Sequence, residues 1–362
     1  MWRYHNPVQV HCGLDALHGL SDAVGSRRAV LITIPEADEL GWTQALGAAL
    51  GERLAGIEAC VQPNPDLRWL APLYARLWQR HPDAECVIAL GGGSAIDCGK
   101  ALLTATSSGT FTEILDHLRG HSELSAERAK ALIALPTTAG TGSEVTPWAT
   151  LWDAEQGQKH SLHLPWTWPE AAFIDPALMT SLPLAPTRAS ALDALSHALE
   201  SIWNIHRNPV SSTFAVAAIQ EILLTLPALL KDLGNTALRA RLATAALKAG
   251  LAFSNTRTAL AHSLSYRITL EQQVPHGIAC SFSLGHIMRL AQGRAADVDH
   301  LLCTAFHSRT VEDAAHKLDR FLAQVGISTQ PEDYGIAPSD WARQIAQSLD
   351  GPRGRNFIAQ QA

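Results

Sequence analysis

The sequence has no C-x-x-C pair. Its cysteines (Cys12, Cys60, Cys86, Cys98, Cys280 and Cys303) are scattered along 362 residues. That spacing argues against a disulfide framework and fits reduced thiols, so a cytoplasmic location is the expectation. There is no basic excess: 28 Lys and Arg stand against 34 Asp and Glu, a net charge of −6. A nucleic-acid partner, which needs a basic face, is therefore not expected. The opening "MWRYHNPVQVHCGLD" carries no apolar core of signal-peptide length. The most apolar run, Phe214 to Leu230, is interrupted by Gln220, Glu221 and Pro227. It reads as too short and too polar to span a bilayer, so no membrane partner is expected. Charge is sparse at 17%, against 47% hydrophobic residues. That balance excludes a disordered chain, and the length suffices for two domains or one large one. No internal repeat or low-complexity tract is present.

The first half alternates strand-like and helical patterns. "RRAVLITI", "GIEACVQP" and "ECVIALGGG" read as strands, with "WTQALGAALGERLAG" and "LRWLAPLYARLWQRH" as helices between them. Such alternation predicts a parallel sheet covered by helices, with ligands at the carboxyl ends of its strands. After "IDPALMTSLPLAPTRAS" strand patterns nearly vanish and long Ala/Leu stretches of helical period take over. Pro183 and Pro186 punctuate the change, and Thr187 is the predicted N-cap of the helix that follows. The expected division is an α/β domain over 1–183 and an all-helical domain over 184–362.

Two turns carry chemistry. In "LGGGSAIDCGKA", Gly91, Gly92 and Gly93 allow backbone close to a ligand. Ser94 can cap the helix or bond a phosphate, and the helix N-terminus favours a pyrophosphate. The spacing is neither G-x-G-x-x-G nor a P-loop. A plain strand–helix turn would look similar. In "LPTTAGTGSEVT", Thr137, Thr138, Thr141 and Ser143 crowd hydroxyls into one loop, which could equally be a polar turn. Two such loops at consecutive strand ends favour nucleotide binding over either plain alternative.

A second pattern concerns metal. Asp193 and His197 in "ALDALSHALE" are four apart and share a helix face set among Ala and Leu. His262 in "TALAHSLSY" and His276 in "VPHGI" follow. One carboxylate and three imidazoles would suit Fe2+ or Zn2+ and leave the ion a Lewis acid. Spacing alone does not single these out among 16 histidines, and a buried Asp–His pair with packing histidines fits the same residues.

Taken together, "GGGSAIDCGKA", "LPTTAGTGSEVT", "AFIDPALMTSLP", "ALDALSHALES" and "VPHGIACSFSL", in this order, resemble the iron-dependent (group III) alcohol dehydrogenase family from about Pro7 to Leu284. The resemblance implies a dinucleotide-binding N-terminal domain with a parallel sheet and an all-α C-terminal domain, the dehydroquinate synthase-like fold. It implies metal ligands at Asp193, His197, His262 and His276. It puts the pyrophosphate loop at Gly91, Gly92, Gly93 and Ser94 with Asp97 behind, and further cofactor contacts at Asn64, Thr137, Thr138, Thr141 and Lys159. Asp193 and His262 would serve catalysis through the metal. The implied partners are a small aldehyde or alcohol and NAD(P)(H), with a homodimer as the candidate assembly.

Three departures stand out. Tyr266 occupies a place where many relatives have a further histidine, and a phenol can still relay a proton. Ile34 ends its strand where many relatives are acidic, yet Glu36, Asp38 and Glu39 close by would repel a 2′-phosphate, so NAD(H) is expected over NADP(H). Trp148 should narrow the substrate pocket. "AHSLSY…VPHGIACSFSL" is similar to the phosphonoacetaldehyde reductase branch, whose anionic substrate needs a cation. Arg267 is the first candidate, and Arg257, Arg353 and Arg355 are further ones, although a solvated surface charge would explain each. Two rival functions are a metal- and NAD-dependent lyase of the dehydroquinate synthase kind and a catalytically silent, metal-stabilised scaffold. A reductase of another short-chain aldehyde is the nearer alternative.

Overall fold

Short runs of Val, Ile, Leu and Ala with both faces covered make the central strands of one unit. The structure, a computed structural model, describes residues 1–124 and 128–361. The first unit comprises Pro7–Thr138 and Ser143–Leu178. Its strands are β1 (Gln9–Cys12), β2 (Ala29–Thr33), β3 (Leu54–Ala59), β4 (Cys86–Gly91), β5 (Thr104–Ala105), β6 (Arg128–Ala129), β7 (Ala131–Pro136), β8 (Trp148–Asp153), β9 (Gln158–His163) and β10 (Ala171–Ile174). Six of them form a sheet in the order β1-β10-β7-β4-β2-β3, every neighbouring pair parallel. β5 and β6, and β8 and β9, pair separately as antiparallel ribbons.

Helices α1 (Leu20–Val24), α2 (Trp42–Leu50), α3 (Leu67–Arg80), α4 (Gly93–Leu102) and α5 (Thr112–Leu118) supply the crossovers. One face of the sheet is covered by Leu70, Leu73 and Leu77 of α3 with Ile96 and Leu102 of α4. The other is covered by Leu20 and Val24 of α1 with Leu46 and Leu50 of α2. Each such leucine is worth ~1.5–3 kcal/mol of burial. β2 and β4 lie side by side, so their carboxyl ends meet, and the glycine turn leaves from the end of β4. Sheets of this kind bind ligands at that place.

The second unit is helical and comprises Met1–Asn6, Ala139–Gly142 and Met179–Ala362. Its helices are α6 (Leu184–Ile202), α7 (Pro209–Leu229), α8 (Thr236–Thr256), α9 (Leu260–Gln272), α10 (His276–Ser281), α11 (Leu284–Ala291), α12 (Ala296–Ala305), α13 (Val311–Gln324) and α14 (Pro338–Asp350). A single cut near residue 184 does not anticipate the two short segments that join this unit. Tertiary hydrogen bonds explain the first: Tyr4 Oη donates to the Leu251 carbonyl at 3.2 Å and the His5 amide to Asn255 Oδ1 at 2.8 Å.

Two local expectations are corrected. The predicted N-cap Thr187 lies inside α6, which starts at Leu184 with Pro183 as N-cap; the Thr187 hydroxyl donates to the Leu182 carbonyl. Pro186 is tolerated because a first-turn N–H has no helical acceptor in any case. The run read as too short and too polar for a membrane is in fact a 21-residue helix, α7, long and apolar enough by length and composition to cross one. In this fold α7 packs against α6, α8 and α12 and buries Ala215, Ala218, Ile219, Ile222 and Leu226. Its polar interruptions are used: Gln220 donates to the Thr304 carbonyl and Glu221 pairs with Arg241 at 2.6 Å.

Candidate functional site

Asp193 and His197 sit one turn apart on α6, both buried, with His197 Nε2 3.8 Å from Asp193 Oδ1. α9 brings His262 in its first turn, Nε2 3.4 Å from the same oxygen. α10 begins with His276, Nε2 3.9 Å from it. Gly277 makes this approach achievable, since a Cβ there would lie 1.9 Å from the Ala189 carbonyl oxygen of α6. The His197 ring is stacked between Phe253, at 4.0 Å, and His262, at 4.6 Å between centroids. The structure thus gathers all four residues expected to hold a metal.

Two participants escaped the sequence reading. Glu200, one turn beyond His197 and without solvent exposure, places Oε2 2.7 Å from His262 Nδ1. The same carboxylate accepts the backbone N–H groups of Ala259, Ala261 and His262. α9 has no side-chain cap of its own, so Glu200 serves as one from a neighbouring helix. Cys280, on α10 and buried, places Sγ 3.7 Å from His276 Nε2. The only signal for either was helical spacing: Glu200 three residues after His197, and Cys280 four after His276.

The electrostatics follow from packing Asp193, His197 and His262 away from solvent beside the half-buried His276. Burial raises the Asp193 carboxyl, but His197, His262 and His276 outweigh it and hold the group below the usual carboxylate range. Burial pushes the His197 imidazole down to about 4, against the pull of Asp193. Burial also opposes protonation of His262, while Cys280, Glu200 and Asp193 drive it well above the ordinary value. Asp193 Oδ1 and His262 Nε2 are buried without a hydrogen-bond partner. Orphans of this kind cost ~1–3 kcal/mol each. An ionised carboxylate facing imidazole nitrogens, with orphaned donor atoms between them, fits a divalent cation such as Fe2+ or Zn2+.

Beside the cluster, the Tyr266 ring lies parallel to His276 at 6.4 Å between centroids, and the Arg353 guanidinium sits 4.6 Å over Tyr266. Burial raises the Tyr266 phenol above its ordinary value, and Arg353 opposes that. Arg267, expected at the substrate, is not brought here: it is exposed and pairs with Glu271 at 2.8 Å, one turn along α9. Adjacent helical residues point about 100° apart, so Arg267 faces solvent where Tyr266 faces the site.

In the α/β unit, β4 runs into Gly91, whose φ of 152° and closeness to Ala95 exclude a side chain. Gly92 passes against Thr138, and α4 opens at Gly93. The two predicted loops are joined, since the Thr137 amide donates to the Gly91 carbonyl at 2.9 Å. Asn64, at φ 58°, donates its amide to Ser94 Oγ at 3.2 Å. Asp97 is spent on structure: its carboxylate accepts the Ser143 hydroxyl and, at 2.7 Å, the Thr150 amide. Lys100 is fully buried and donates to the Ser143 carbonyl, Ser143 Oγ and the Trp148 carbonyl, each at 2.7 Å. Lys159 on β9 lies 5.3 Å over the Trp152 ring, and Trp148 starts β8. Thr141 belongs to the segment Ala139–Gly142 that goes with the helical unit. After β2, Ile34 is half-buried, Glu36 and Glu39 are exposed, and Asp38 accepts from Thr43 and Gln44.

The chain was compared with known proteins. The iron-containing alcohol dehydrogenase family matches residues 7–176, and the C-terminal domain of the Fe-containing alcohol dehydrogenase family matches residues 187–357. The chain is 34% identical over 287 residues to a phosphonoacetaldehyde reductase of Streptomyces viridochromogenes, covering 75% of this chain and 71% of the relative. It is 29% identical to long-chain-alcohol dehydrogenase 1 of Geobacillus thermodenitrificans, covering 92% and 86%. A sulfoacetaldehyde reductase of Bifidobacterium kashiwanohense, solved in complex with NAD+, superposes with a TM-score of 0.90 at 26% identity, covering 99% and 94%.

Proposed function

Since the chain belongs to the iron-containing alcohol dehydrogenase family, whose members are oxidoreductases acting on CH–OH groups, we propose that it reduces a small anionic aldehyde with NADH. The preferred pair is phosphonoacetaldehyde and 2-hydroxyethylphosphonate. The observation that carries the anionic preference is Arg353 over Tyr266, itself stacked beside His276. Among the described residues no carboxylate pairs with Arg353, so its guanidinium is available to a charged substrate tail. The phosphonoacetaldehyde reductase relative and the sulfoacetaldehyde reductase neighbour support the same class of substrate.

Asp193, His197, His262 and His276 would hold Fe2+ or Zn2+. Bound there, the ion would supply Lewis acidity toward the substrate carbonyl, and the nicotinamide would supply hydride-transfer chemistry at the carbonyl carbon. Glu200 accepts a hydrogen bond from the Nδ1–H of His262, which holds the proton at Nδ1, fixes the tautomer and leaves Nε2 as the donor atom. Asp193 stays ionised under the influence of the imidazoles. Tyr266 keeps its proton at Oη and can hand it to the substrate oxygen. Gly91, Gly92, Gly93 and Ser94 with the start of α4 would cradle the pyrophosphate. Asn64, Thr137, Thr138, Thr141 and Lys159 are the remaining proposed cofactor contacts, and Asp97 braces the helix behind them. Glu36 and Asp38 disfavour a 2′-phosphate, and Trp148 would limit substrate size. A cytoplasmic setting is part of this reading, supported by six cysteines of which none is in a disulfide.

The test is a panel of phosphonoacetaldehyde, sulfoacetaldehyde and propanal with NADH or NADPH, after loading with Fe2+ or Zn2+. The anionic aldehydes are expected to exceed propanal in kcat/KM by about tenfold or more, the scale of one charge-assisted contact. No preference would sink the anionic assignment. No net oxidation of either nicotinamide with any aldehyde would sink the reductase reading and leave the lyase and the silent scaffold.

A further inference from the structure

Arg257 closes α8 with φ 67° and ψ 176°. A side chain is crowded by its own backbone in that region, which is occupied almost only by glycine. The chain nevertheless keeps an arginine there and pins the conformation from several sides. The Arg257 amide donates to the Phe253 carbonyl at 2.8 Å, and Asn204 Nδ2 donates to the Arg257 carbonyl at 3.1 Å. Next along, the Thr258 carbonyl accepts Asn356 Nδ2 at 2.8 Å, and the Ala259 amide reaches Glu200 at 2.8 Å. None of these contacts uses the Arg257 guanidinium, and the residue is exposed. Among the described residues no carboxylate pairs with it. By contrast, Arg207 pairs with Asp297 at 2.8 Å, and Arg355 Nε donates to the Asp350 carbonyl at 3.1 Å.

Asn356 ties this cation to the one over Tyr266. Its amide donates to the Arg353 carbonyl at 3.0 Å while its side chain holds Thr258. Arg257 and Arg353 therefore leave the backbone on either side of one residue. The His206 imidazole is lowered by burial and then by the Arg257 charge, and it is bonded to the same Asn356. A strained backbone whose guanidinium has no structural partner is kept for what the side chain does. We propose that Arg257 is a second cation for the substrate tail, so that Arg353 and Arg257 together favour a doubly charged phosphonate over a singly charged sulfonate. The inference rests on the reading of Arg353 as the anion-binding group and narrows the class of anion. One guanidinium balances one charge, and the second charge of a phosphonate calls for another.

The test compares metal-loaded wild type with Arg257→Gly, Arg257→Gln and Arg257→Lys on phosphonoacetaldehyde, sulfoacetaldehyde and propanal. It is run at about pH 8, where a phosphonate carries both charges. Wild type is expected to favour phosphonoacetaldehyde over sulfoacetaldehyde in kcat/KM. Arg257→Gly and Arg257→Gln should each lower that ratio about tenfold, through KM, and Arg257→Lys should restore much of it. Arg257→Gly should also raise Tm by roughly 2–4 °C, because glycine relieves the strain, whereas Arg257→Gln should not. An unchanged ratio in both neutral variants overturns the second cation and leaves Arg353 and the anionic preference standing. A fall in Tm for Arg257→Gly overturns the strain from which the inference starts. Wild type with no preference for either anion over propanal overturns the proposed substrate class along with it.

Discussion

His262 Nδ1 lies 2.7 Å from Glu200 Oε2, and the same carboxylate accepts three backbone N–H groups at the start of α9. The carboxylate therefore sets the tautomer of a proposed ligand. Glu200→Gln keeps the shape but offers an amide where an imidazole N–H must be accepted. The expected result is a loss of metal affinity of about 10–100-fold with the fold retained. Metal titration against circular dichroism checks it, and unchanged affinity would remove Glu200 from the site.

Asp193→Ala is expected to lose metal and turnover together. It deletes the anionic member of the cluster and leaves His197, His262 and His276 facing one another. Elemental analysis beside an NADH assay reads both quantities. Retention of full metal content and full turnover would show that the site is elsewhere.

Two arginines separate by substrate. Arg353→Gln is expected to raise KM for phosphonoacetaldehyde about 10–100-fold, the worth of a charge-assisted hydrogen bond, and to leave propanal unaffected. Arg267→Gln should change neither, because its guanidinium is engaged with exposed Glu271. Steady-state kinetics with both aldehydes decide the matter.

The pH dependence of stability has a specific source in the α/β unit. Burial lifts the Glu144 carboxyl from 4.5 to about 7, against its backbone hydrogen bond and Lys100. The folded state holds that proton more tightly than the unfolded one. Its contribution is thus complete below pH 4.5 and lost as pH rises through about 7. Glu144→Gln, neutral throughout, is expected to flatten the fall in unfolding free energy across that window by an amount on the order of a few kcal/mol. Calorimetry at several pH values tests it, and an unchanged slope would assign the dependence to other groups.

Much of the fold could be read from period and punctuation. Buried strands such as Ala29–Thr33 and Cys86–Gly91 are continuous apolar runs, and helical spacing put Asp193 and His197 on one face. What stayed hidden depended on tertiary return. Glu200 acts only because the start of α9 folds against α6. Arg353 reaches Tyr266 because the segment after α14 packs on α9. Arg267 was misread because being next in sequence to Tyr266 does not put it on the same side of a helix. The length of α7 was underestimated because the helix starts at Pro209, behind the Asn208 cap and before the apolar run begins at Phe214.

One carboxylate begins a helix and aims an imidazole. The order of α9 and the readiness of His262 to bind are therefore a single equilibrium rather than two. An ion that captures Nε2 draws on the same contact that starts the helix, so loading the centre should slow amide exchange along Leu260–Gln272, well beyond the atoms the ion touches.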